Sequence, residues 1–220
     1  MSFPLDWDGT RENGLRIINS PISPINGASS LLLFSDGSEW NATNIGVRKS
    51  ASLFLRNGVH ERGFAEGRIT TLIRRNVSTP QSNAWGGIYV VSDTEGIGLV
   101  ASQGQNRYEI TDRGDGFIKL IKYTVTFPTT LATSAISFSP GTVYGLQVRW
   151  KFNGITNALE FRISLGTALS FSDLSEIIVF TDSSPHTNAV TEGLFVQTLS
   201  NDDLVSYTFD TTSVFRLIHL

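Results

Sequence analysis

The chain has 220 residues, a formal net charge of −3 at pH 7 and no cysteine. The length suits one large all-β domain, and the lack of cysteine excludes disulfides, thiolate nucleophiles and cysteine-ligated metal centres. The acidic balance argues against a general nucleic-acid binder, and no apolar stretch is long enough to span a bilayer, so we expect neither nucleic acid nor membrane as a partner.

The N-terminal residues 1–30 contain three prolines, three glycines and one short apolar run at Leu15–Ile18. This composition predicts an irregular N-terminal arm, or an irregular strand, that lies over a β-sandwich domain formed by residues 31–220. Acidic residues stand where a signal peptide carries positive charge. We therefore expect a protein that stays in the cytosol or leaves it without a cleaved signal.

Three short segments after the arm are rich in apolar and β-branched residues and predict strands. They are residues 31–34, 50–57 and 67–76. In the third segment, apolar and polar side chains alternate until Leu72 interrupts the pattern.

The region from Trp85 to Gly166 shows the clearest pattern, a series of extended segments joined by turns that contain glycine. The segments read GGIYVVS, GIGLVAS, NRYEIT, FIKLIKYTVTF, VYGLQVRWKF and ALEFRISLG. In the fifth segment the apolar residues share one parity with Trp150, whereas Arg149 has the opposite parity. Side chains alternate between the faces of a strand, so Trp150 is predicted to lie in the core and Arg149 on a solvated face.

The remaining segments are less uniform. Residues 127–140 read as an irregular stretch rich in threonine and serine, and Ser170–Ser175 is the one plausible helical turn. Three more strands are predicted at residues 176–182, 192–200 and 205–217. About a dozen strands with almost no helix predict an all-β fold, an antiparallel two-sheet sandwich or jelly roll.

These segments, followed by GLFVQTLSNDDLVSYTFDTTSVFRL, carry a resemblance to a known fold family. Over residues 60–217 the chain resembles the concanavalin A-like lectin and glucanase jelly roll, and within it the laminin G-like group. The resemblance implies an antiparallel two-sheet jelly-roll sandwich. Lectins, glycan hydrolases, adhesion modules and virion parts all use this fold, so the resemblance implies no single function.

Catalytic signatures are missing. The glycan hydrolases that the chain resembles carry paired acids in a Glu-x-Asp-x-x-Glu arrangement that flanks the scissile bond, and the sequence has no such motif. His60, His186 and His219 are too scattered for a metal-ligand motif, and no GxSxG motif marks a nucleophile. We therefore predict that the protein is not an enzyme and has no catalytic residue, metal or cofactor.

Two turn features require interpretation. Laminin G-like domains often bind calcium at loop tips, but the available acids show no spacing that specifies the ion. These acids are Asp93, Asp112, Asp115 and Asp202. Arg113-Gly114-Asp115 matches the tripeptide that integrins bind, yet turn preferences produce the same residues between two strands. We interpret it as a hairpin turn.

Aromatic residues supply the candidate ligand-binding face, because sugar rings stack on flat apolar side chains. Trp85, Tyr89 and Tyr108 lie near strand starts in the first half of the Trp85–Gly166 region, and Asn106 offers a hydrogen-bonding amide beside them. These four residues form the candidate glycan-binding face. Burial of the aromatic residues in the core or in a subunit interface is the alternative.

Charge is unevenly distributed, with bases dominant between Arg48 and Arg75 and acids dominant after Asn153. One interpretation is that a basic and an acidic surface meet between neighbouring subunits, and the other is that these charges solvate the outer faces of strands. The first interpretation gives four candidate subunit-contact residues, Trp7, Arg68, Arg74 and Arg75.

Two functions are compatible with these observations. The first is a non-enzymatic structural protein of a virus particle, in particular a bacteriophage head-decoration or tail component. It would assemble into the virion in the host cytoplasm and would contact other virion proteins and copies of itself, which fits the polar arm and the lack of a signal peptide and of cysteine. The alternative is a carbohydrate-binding module or lectin that recognises a glycan, such as one on a host surface, through exposed aromatic residues.

Overall fold

The computed structural model describes residues 7–11, 16–20, 30–35, 49–55, 66–76, 84–93, 106–124, 127–167, 171–186, 191–198 and 205–217. These residues contain fourteen strands and no helix. It follows that none of them belongs to a helix long and apolar enough to cross a membrane.

The strands pair into two antiparallel sheets of seven strands each. The front sheet has the order β1-β4-β13-β6-β7-β8-β9, with β1 Trp7–Arg11, β4 Lys49–Leu55, β6 Ala84–Ser92, β7 Arg107–Thr111, β8 Phe117–Tyr123, β9 Pro128–Ser137 and β13 Thr191–Thr198. The back sheet has the order β12-β11-β10-β5-β14-β3-β2, with β2 Arg16–Ser20, β3 Ser30–Ser35, β5 Glu66–Arg75, β10 Val143–Asn153, β11 Ala158–Gly166, β12 Ser175–Asp182 and β14 Val205–Leu217. Strands distant in sequence are neighbours in both sheets, as in a jelly roll.

Three local predictions need correction. Part of the predicted arm forms edge strands, because β1 pairs with β4 in the front sheet and β2 pairs with β3 in the back sheet. The stretch predicted to be irregular contains β9, an edge strand that begins at Pro128, where a residue without an N–H costs no ladder hydrogen bond. Phe171–Leu174 forms a turn instead of the predicted helix, and β12 begins directly after it. The predicted segment GIGLVAS lies outside the described residues.

The core lies between the sheets and follows the predicted parity. Trp150 is 1% exposed and Arg149 lies on the solvated face, which confirms the prediction for β10. Gly67 of β5 is opposite Trp150 in register, and a Cβ atom at Gly67 would lie 2.0 Å from the Trp150 ring. The missing side chain of Gly67 therefore provides the space that the indole fills.

A buried ion pair connects the two sheets. Arg75, at the end of β5, donates from Nη1 to Oδ2 of Asp112 at 2.6 Å, and Tyr207 of β14 donates its hydroxyl to the other carboxylate oxygen at 2.5 Å. Arg75 Nη2 also donates to the carbonyl oxygen of Phe138 at 2.7 Å. Arg75 is 3% exposed and Asp112 is 2% exposed. The prediction that Arg75 contacts another subunit is therefore wrong, because its side chain is used inside the fold.

Replacement of Asp112 by asparagine should destabilise the protein strongly. The substitution leaves the Arg75 guanidinium buried without its counter-charge, a loss of about 3–5 kcal/mol in the free energy of unfolding. Asp115→Asn in the same hairpin is the matched control, since Asp115 has 53% side-chain exposure in its ion pair with Lys119 and should cost less than about 1 kcal/mol. Urea denaturation measures both, and equal losses would contradict the role given to Arg75 and Asp112.

Candidate functional site

Polar and aromatic side chains gather on the face of the front sheet that points away from the core. Register explains their proximity: Gln197 of β13 is opposite Trp85 of β6, and Arg107 of β7 is opposite Tyr123 of β8. We call this set the outer-face cluster. Its members are Trp85, Tyr89, Arg107, Glu109, Thr111, Arg113, Tyr123, Phe195 and Gln197.

The charged groups of the outer-face cluster satisfy one another. Glu109 is fully buried and accepts hydrogen bonds from Trp85 Nε1 at 3.1 Å and from Arg107 Nε at 2.8 Å. Arg107 Nη2 also lies 2.7 Å from the Glu109 carboxylate. One carboxylate therefore fixes the orientation of both an indole and a guanidinium group.

Two arginines stack on aromatic rings in the same cluster. The guanidinium carbon of Arg113 lies 4.0 Å from the Trp85 ring centroid, and that of Arg107 lies 4.1 Å from the Tyr123 ring centroid. Arg113 Nη1 also donates to the Tyr123 hydroxyl at 3.0 Å. Burial, the largest effect, raises the pKa of Tyr123 well above its ordinary value. The phenol therefore stays protonated at neutral pH.

Gln197 and Thr111 are the exceptions to this internal pairing. Gln197 is fully buried, and within the described residues neither its amide nitrogen nor its amide oxygen has a hydrogen-bond partner. The Thr111 hydroxyl, also fully buried, has none either. Gly87 is in register with both Phe195 and Thr111 and contributes no side chain between them. An unpaired buried amide or hydroxyl costs about 1–3 kcal/mol, so these groups need a partner that the described residues do not supply, such as water or a ligand.

The predicted exposed aromatic face does not exist in the single chain. Trp85 is 1% exposed, and Tyr89 and Tyr108 are fully buried. Tyr108 also lies on the opposite face from Trp85, where its ring centroid is 4.7 Å from that of Phe161 in the back sheet. The prediction failed because β6, β7 and β13 are buried on their outer face as well as on their inner face.

Asn106 is committed to a local contact. Its backbone N–H donates to Asp93 Oδ1 at 3.0 Å, and its side-chain amide donates to Oδ2 at 2.8 Å. These bonds join the end of β6 to the start of β7. The predicted set therefore divides, with Trp85 and Tyr89 in the outer-face cluster, and Asn106 and Tyr108 outside it.

Sequence reasoning missed the polar members of the outer-face cluster. Arg107, Glu109 and Thr111 share one parity in NRYEIT, and that alternation could have identified a polar outer face on β7. Gln197 gave no such signal, because a single amide in GLFVQTLS reads as an ordinary solvated strand residue.

The turn at Arg113-Gly114-Asp115 is the predicted hairpin. Gly114 and Gly116 have φ angles of 91° and 83°, a region that favours glycine. Arg113 folds back onto Trp85, and Asp115 is paired with Lys119 at 2.7 Å. Both charged side chains of the tripeptide are thus used within the chain.

The acids considered for calcium lie apart. Asp93 binds Asn106, Asp112 binds Arg75, and Asp202 lies outside the described residues. Across the described ranges, no three histidine or acidic side chains converge to hold a metal ion.

The remaining subunit-contact candidates stay predictions. Arg68 lies half-buried on the outer face of the back sheet, and Arg74 donates from Nε to Asn76 Oδ1 at 3.0 Å. Trp7 belongs to the edge strand β1. Basic and acidic residues are mixed on the back sheet, where Arg162 pairs with Glu176 at 3.0 Å, so the described residues do not divide into one basic and one acidic surface.

A second polar cluster lies near the N-terminal end of β7. The Tyr108 hydroxyl donates to Asp182 Oδ2 at 2.7 Å, and Lys122 Nζ lies 2.8 Å from the same oxygen. His186 donates its backbone N–H to the Tyr108 hydroxyl at 3.1 Å, and its Nε2 lies 2.7 Å from the Tyr123 carbonyl oxygen. A carbonyl only accepts, so Nε2 carries the proton of the neutral ring. His186 is thus half-buried and held in place by two hydrogen bonds.

The fold is a concanavalin A-like jelly-roll sandwich with two antiparallel sheets. It is similar to the carbohydrate recognition domain of Emp47p, with a TM-score of 0.55, 10% identity and coverage of 99% of this chain and 91% of that one. The VIP36 exoplasmic/lumenal domain in its Ca²⁺/Man3GlcNAc-bound form gives a TM-score of 0.59 at 9% identity, with coverage of 98% and 85%. Carbohydrate binding module CBM66 from Bacillus subtilis gives 0.51 at 12%, with coverage of 95% and 94%.

These structural similarities confirm the predicted fold. At such low identity they establish the fold alone. No protein-family model matches the sequence, and no curated protein matches it. The three structures are named as carbohydrate-recognition or carbohydrate-binding domains or as a glycan complex, and none of the three is named as a virion component.

Lowering the pH should weaken the fold through His186. Burial is the main cause that lowers the pKa of His186, and Lys122 acts in the same direction, whereas the Tyr123 carbonyl, Asp182 and Asp93 oppose it. The unfolded chain therefore binds a proton on this residue at higher pH than the folded chain, so stability should decline as the pH falls below the ordinary histidine pKa of about 6.5. Asp182, whose pKa is lowered in the fold, contributes only below about pH 4.

The measurement is the free energy of unfolding of the wild type and His186→Gln between pH 7 and pH 5. The variant should lose less stability over this range, because it lacks the imidazole of His186 that takes up a proton on unfolding. His60 and His219 are common to both proteins and cancel in the comparison. Parallel curves for the two proteins would show that His186 does not titrate with unfolding.

Proposed function

We propose that the protein is a non-catalytic carbohydrate-binding domain that takes a neutral glycan at the outer-face cluster. The observation that carries this proposal is Gln197, a fully buried amide without a hydrogen-bond partner among the described residues, in register with Trp85. Thr111 adds a second unpaired buried group. The similarity to carbohydrate-recognition domains supports the same class of ligand through the shared fold.

The chemistry of the cluster fits hydroxyl groups. A sugar hydroxyl donates and accepts, so it can satisfy the amide oxygen of Gln197, the amide nitrogen, or the Thr111 hydroxyl. Phe195 and Trp85 supply apolar surface beside these groups, as carbohydrate sites require. Arg107 and Glu109 neutralise each other, and Arg113 is stacked on Trp85 and donates to the Tyr123 hydroxyl, so the charged groups are already used within the cluster, which favours an uncharged ligand.

The same arrangement favours binding over hydrolysis. Glycoside hydrolases use two carboxyl groups about 5–9.5 Å apart on either side of the bond. The outer-face cluster as described contains one carboxylate, Glu109, and both of its oxygens accept hydrogen bonds from Trp85 or Arg107. A carboxylate held in this way orients its neighbours and is poorly placed to attack a sugar.

Assembly into a virus particle in the host cytoplasm, with contacts to other virion proteins and to copies of the same chain, remains a prediction from sequence. The polar N-terminal arm was one of its supports, and β1 and β2 now account for part of that arm as edge strands of the two sheets. We therefore favour glycan binding as the function.

Gln197→Leu should weaken glycan binding without weakening the fold. A panel of neutral manno-, gluco-, fructo- and chito-oligosaccharides identifies a ligand of the wild type, and calorimetry then compares variants. Leucine removes both polar atoms that lack a partner, so the affinity should fall at least about tenfold while the melting temperature holds or rises. Thr71→Val is the control and should leave glycan affinity unchanged, because Thr71 is fully buried in the back sheet and its hydroxyl already donates to the Leu72 carbonyl oxygen at 3.1 Å.

Binding should also be slow. Trp85 is 1% exposed and Gln197 is fully buried, so a sugar can enter only after a local opening, which lowers association rates below those of preformed sites. A panel with no wild-type ligand, or a Gln197→Leu variant that binds as tightly as the wild type, would refute the proposed site.

A further inference from the structure

Three arginines form a row across the outer face of the back sheet. Arg149 of β10 is in direct register with Arg68 of β5 on one side and with Arg162 of β11 on the other. Directly opposed residues in antiparallel strands have Cβ atoms about 4.5–5.5 Å apart. The three guanidinium groups therefore belong to one narrow stripe that runs perpendicular to the strands.

The adjacent row shows that such a stripe is not needed to solvate this face. In the next row of side chains on the same face, Lys151 is in register with Glu66 and Glu160. The charges in that row therefore alternate in sign. Lys151 and Glu66 also form an ion pair at 3.7 Å. Alternation stabilises a sheet surface, whereas directly opposed like charges destabilise it. The arginine row therefore carries an electrostatic cost that its neighbour avoids.

Arg149 is the residue of the row that is open to a ligand. It is exposed, and among the described residues it has no carboxylate within ion-pair distance. Arg162 is also exposed and uses Nη1 to bind both oxygens of Glu176 at 3.0 and 3.1 Å, so the rest of its guanidinium edge remains for other acceptors. Arg68 is half-buried and completes the row on β5, nearer the middle of the back sheet.

We propose that this arginine row binds the carboxylate or sulfate groups of an acidic polysaccharide. Guanidinium groups bind both kinds of group through paired hydrogen bonds. On the other side of the row lie Thr70, Gln147 and Ser164, a register-matched line of hydroxyl and amide groups. A polysaccharide presents isolated anionic groups between hydroxylated rings, and the two lines match that alternation of charged and neutral polar groups.

Nucleic acid fits this surface less well. A nucleic-acid duplex carries a negative charge about every 1.7 Å along its axis. The carboxylates of Glu66, Glu160 and Glu176 border the row and would repel such closely spaced charges. Single strands bind by stacking of bases on aromatic side chains, but the exposed aromatic side chains among the described residues, Phe117 and Phe127, lie at β8 and directly before β9, on the other sheet. A ligand with widely spaced charges avoids both problems.

This site is on the opposite sheet from the outer-face cluster and does not rest on the proposed function. A protein that binds only acidic glycans through Arg149, or only neutral glycans through Gln197, would separate the two proposals directly.

The test compares Arg149→Gln with Lys151→Gln. Both substitutions remove one exposed positive charge from β10, but only the first interrupts the arginine row. Calorimetric titration at low salt uses a heparin-derived hexasaccharide and a polygalacturonate hexamer as probes. We expect Arg149→Gln to weaken binding about tenfold and Lys151→Gln to weaken it less than about twofold, with a shallower salt dependence for Arg149→Gln.

Two further measurements exclude a purely structural role. Arg149→Gln should keep or raise the melting temperature, because it relieves like-charge repulsion, and Arg149→Lys should recover part of the affinity because it keeps the charge and loses the planar fork. Equal losses in the glutamine variants, no wild-type binding to either probe, or tighter binding of a single-stranded DNA oligomer would each overturn the proposal.

Discussion

The buried contact of Arg75, Asp112 and Tyr207 is the constraint on which the relation of the two sheets depends. Arg75 and Tyr207 belong to the back sheet, and Asp112 follows the last residue of β7 in the front sheet. Burial, the dominant effect, raises the pKa of the Asp112 carboxyl group, and Tyr207 and Arg75 oppose it. Removal of this carboxylate from water thus costs free energy. The hydrogen bonds from Arg75 and Tyr207 are needed to offset that cost.

The same constraint organises the candidate glycan site. Strand β7 has five residues and is tied to the back sheet at both ends, through Asp112 at one end and through the bond of Tyr108 to Asp182 of β12 at the other. Its inward residues fill the core, while Arg107, Glu109 and Thr111 point outward into the outer-face cluster. A short strand held at both ends has little freedom to shift, so the polar groups on its outer side have fixed positions.

Much of the fold was predictable because parity along a strand depends only on local alternation. Trp150 in the core and Arg149 on the surface follow from it. Long-range packing was not predictable. Leu72, the residue that breaks the alternation of β5, is opposite Gly145. A Cβ atom at Gly145 would lie 2.9 Å from the ring of Phe171, so a residue of a later turn packs beside this position. The burial of Trp85 has the same kind of cause, since no feature of β6 reveals that the outer face of its sheet is closed.

Register also explains why the two faces have different chemistry. On the front sheet, opposed residues bring unlike groups together, as with Arg107 and the Tyr123 ring, and the charge of Arg107 is cancelled by Glu109. On the back sheet, Arg149 faces a like charge on each side. A one-residue slip of β10 would remove Arg149 from this row and move Trp150 out of the core. The packing of Trp150 against Gly67 therefore fixes the position of Arg149, and the core of the sandwich determines which charges meet on its surface.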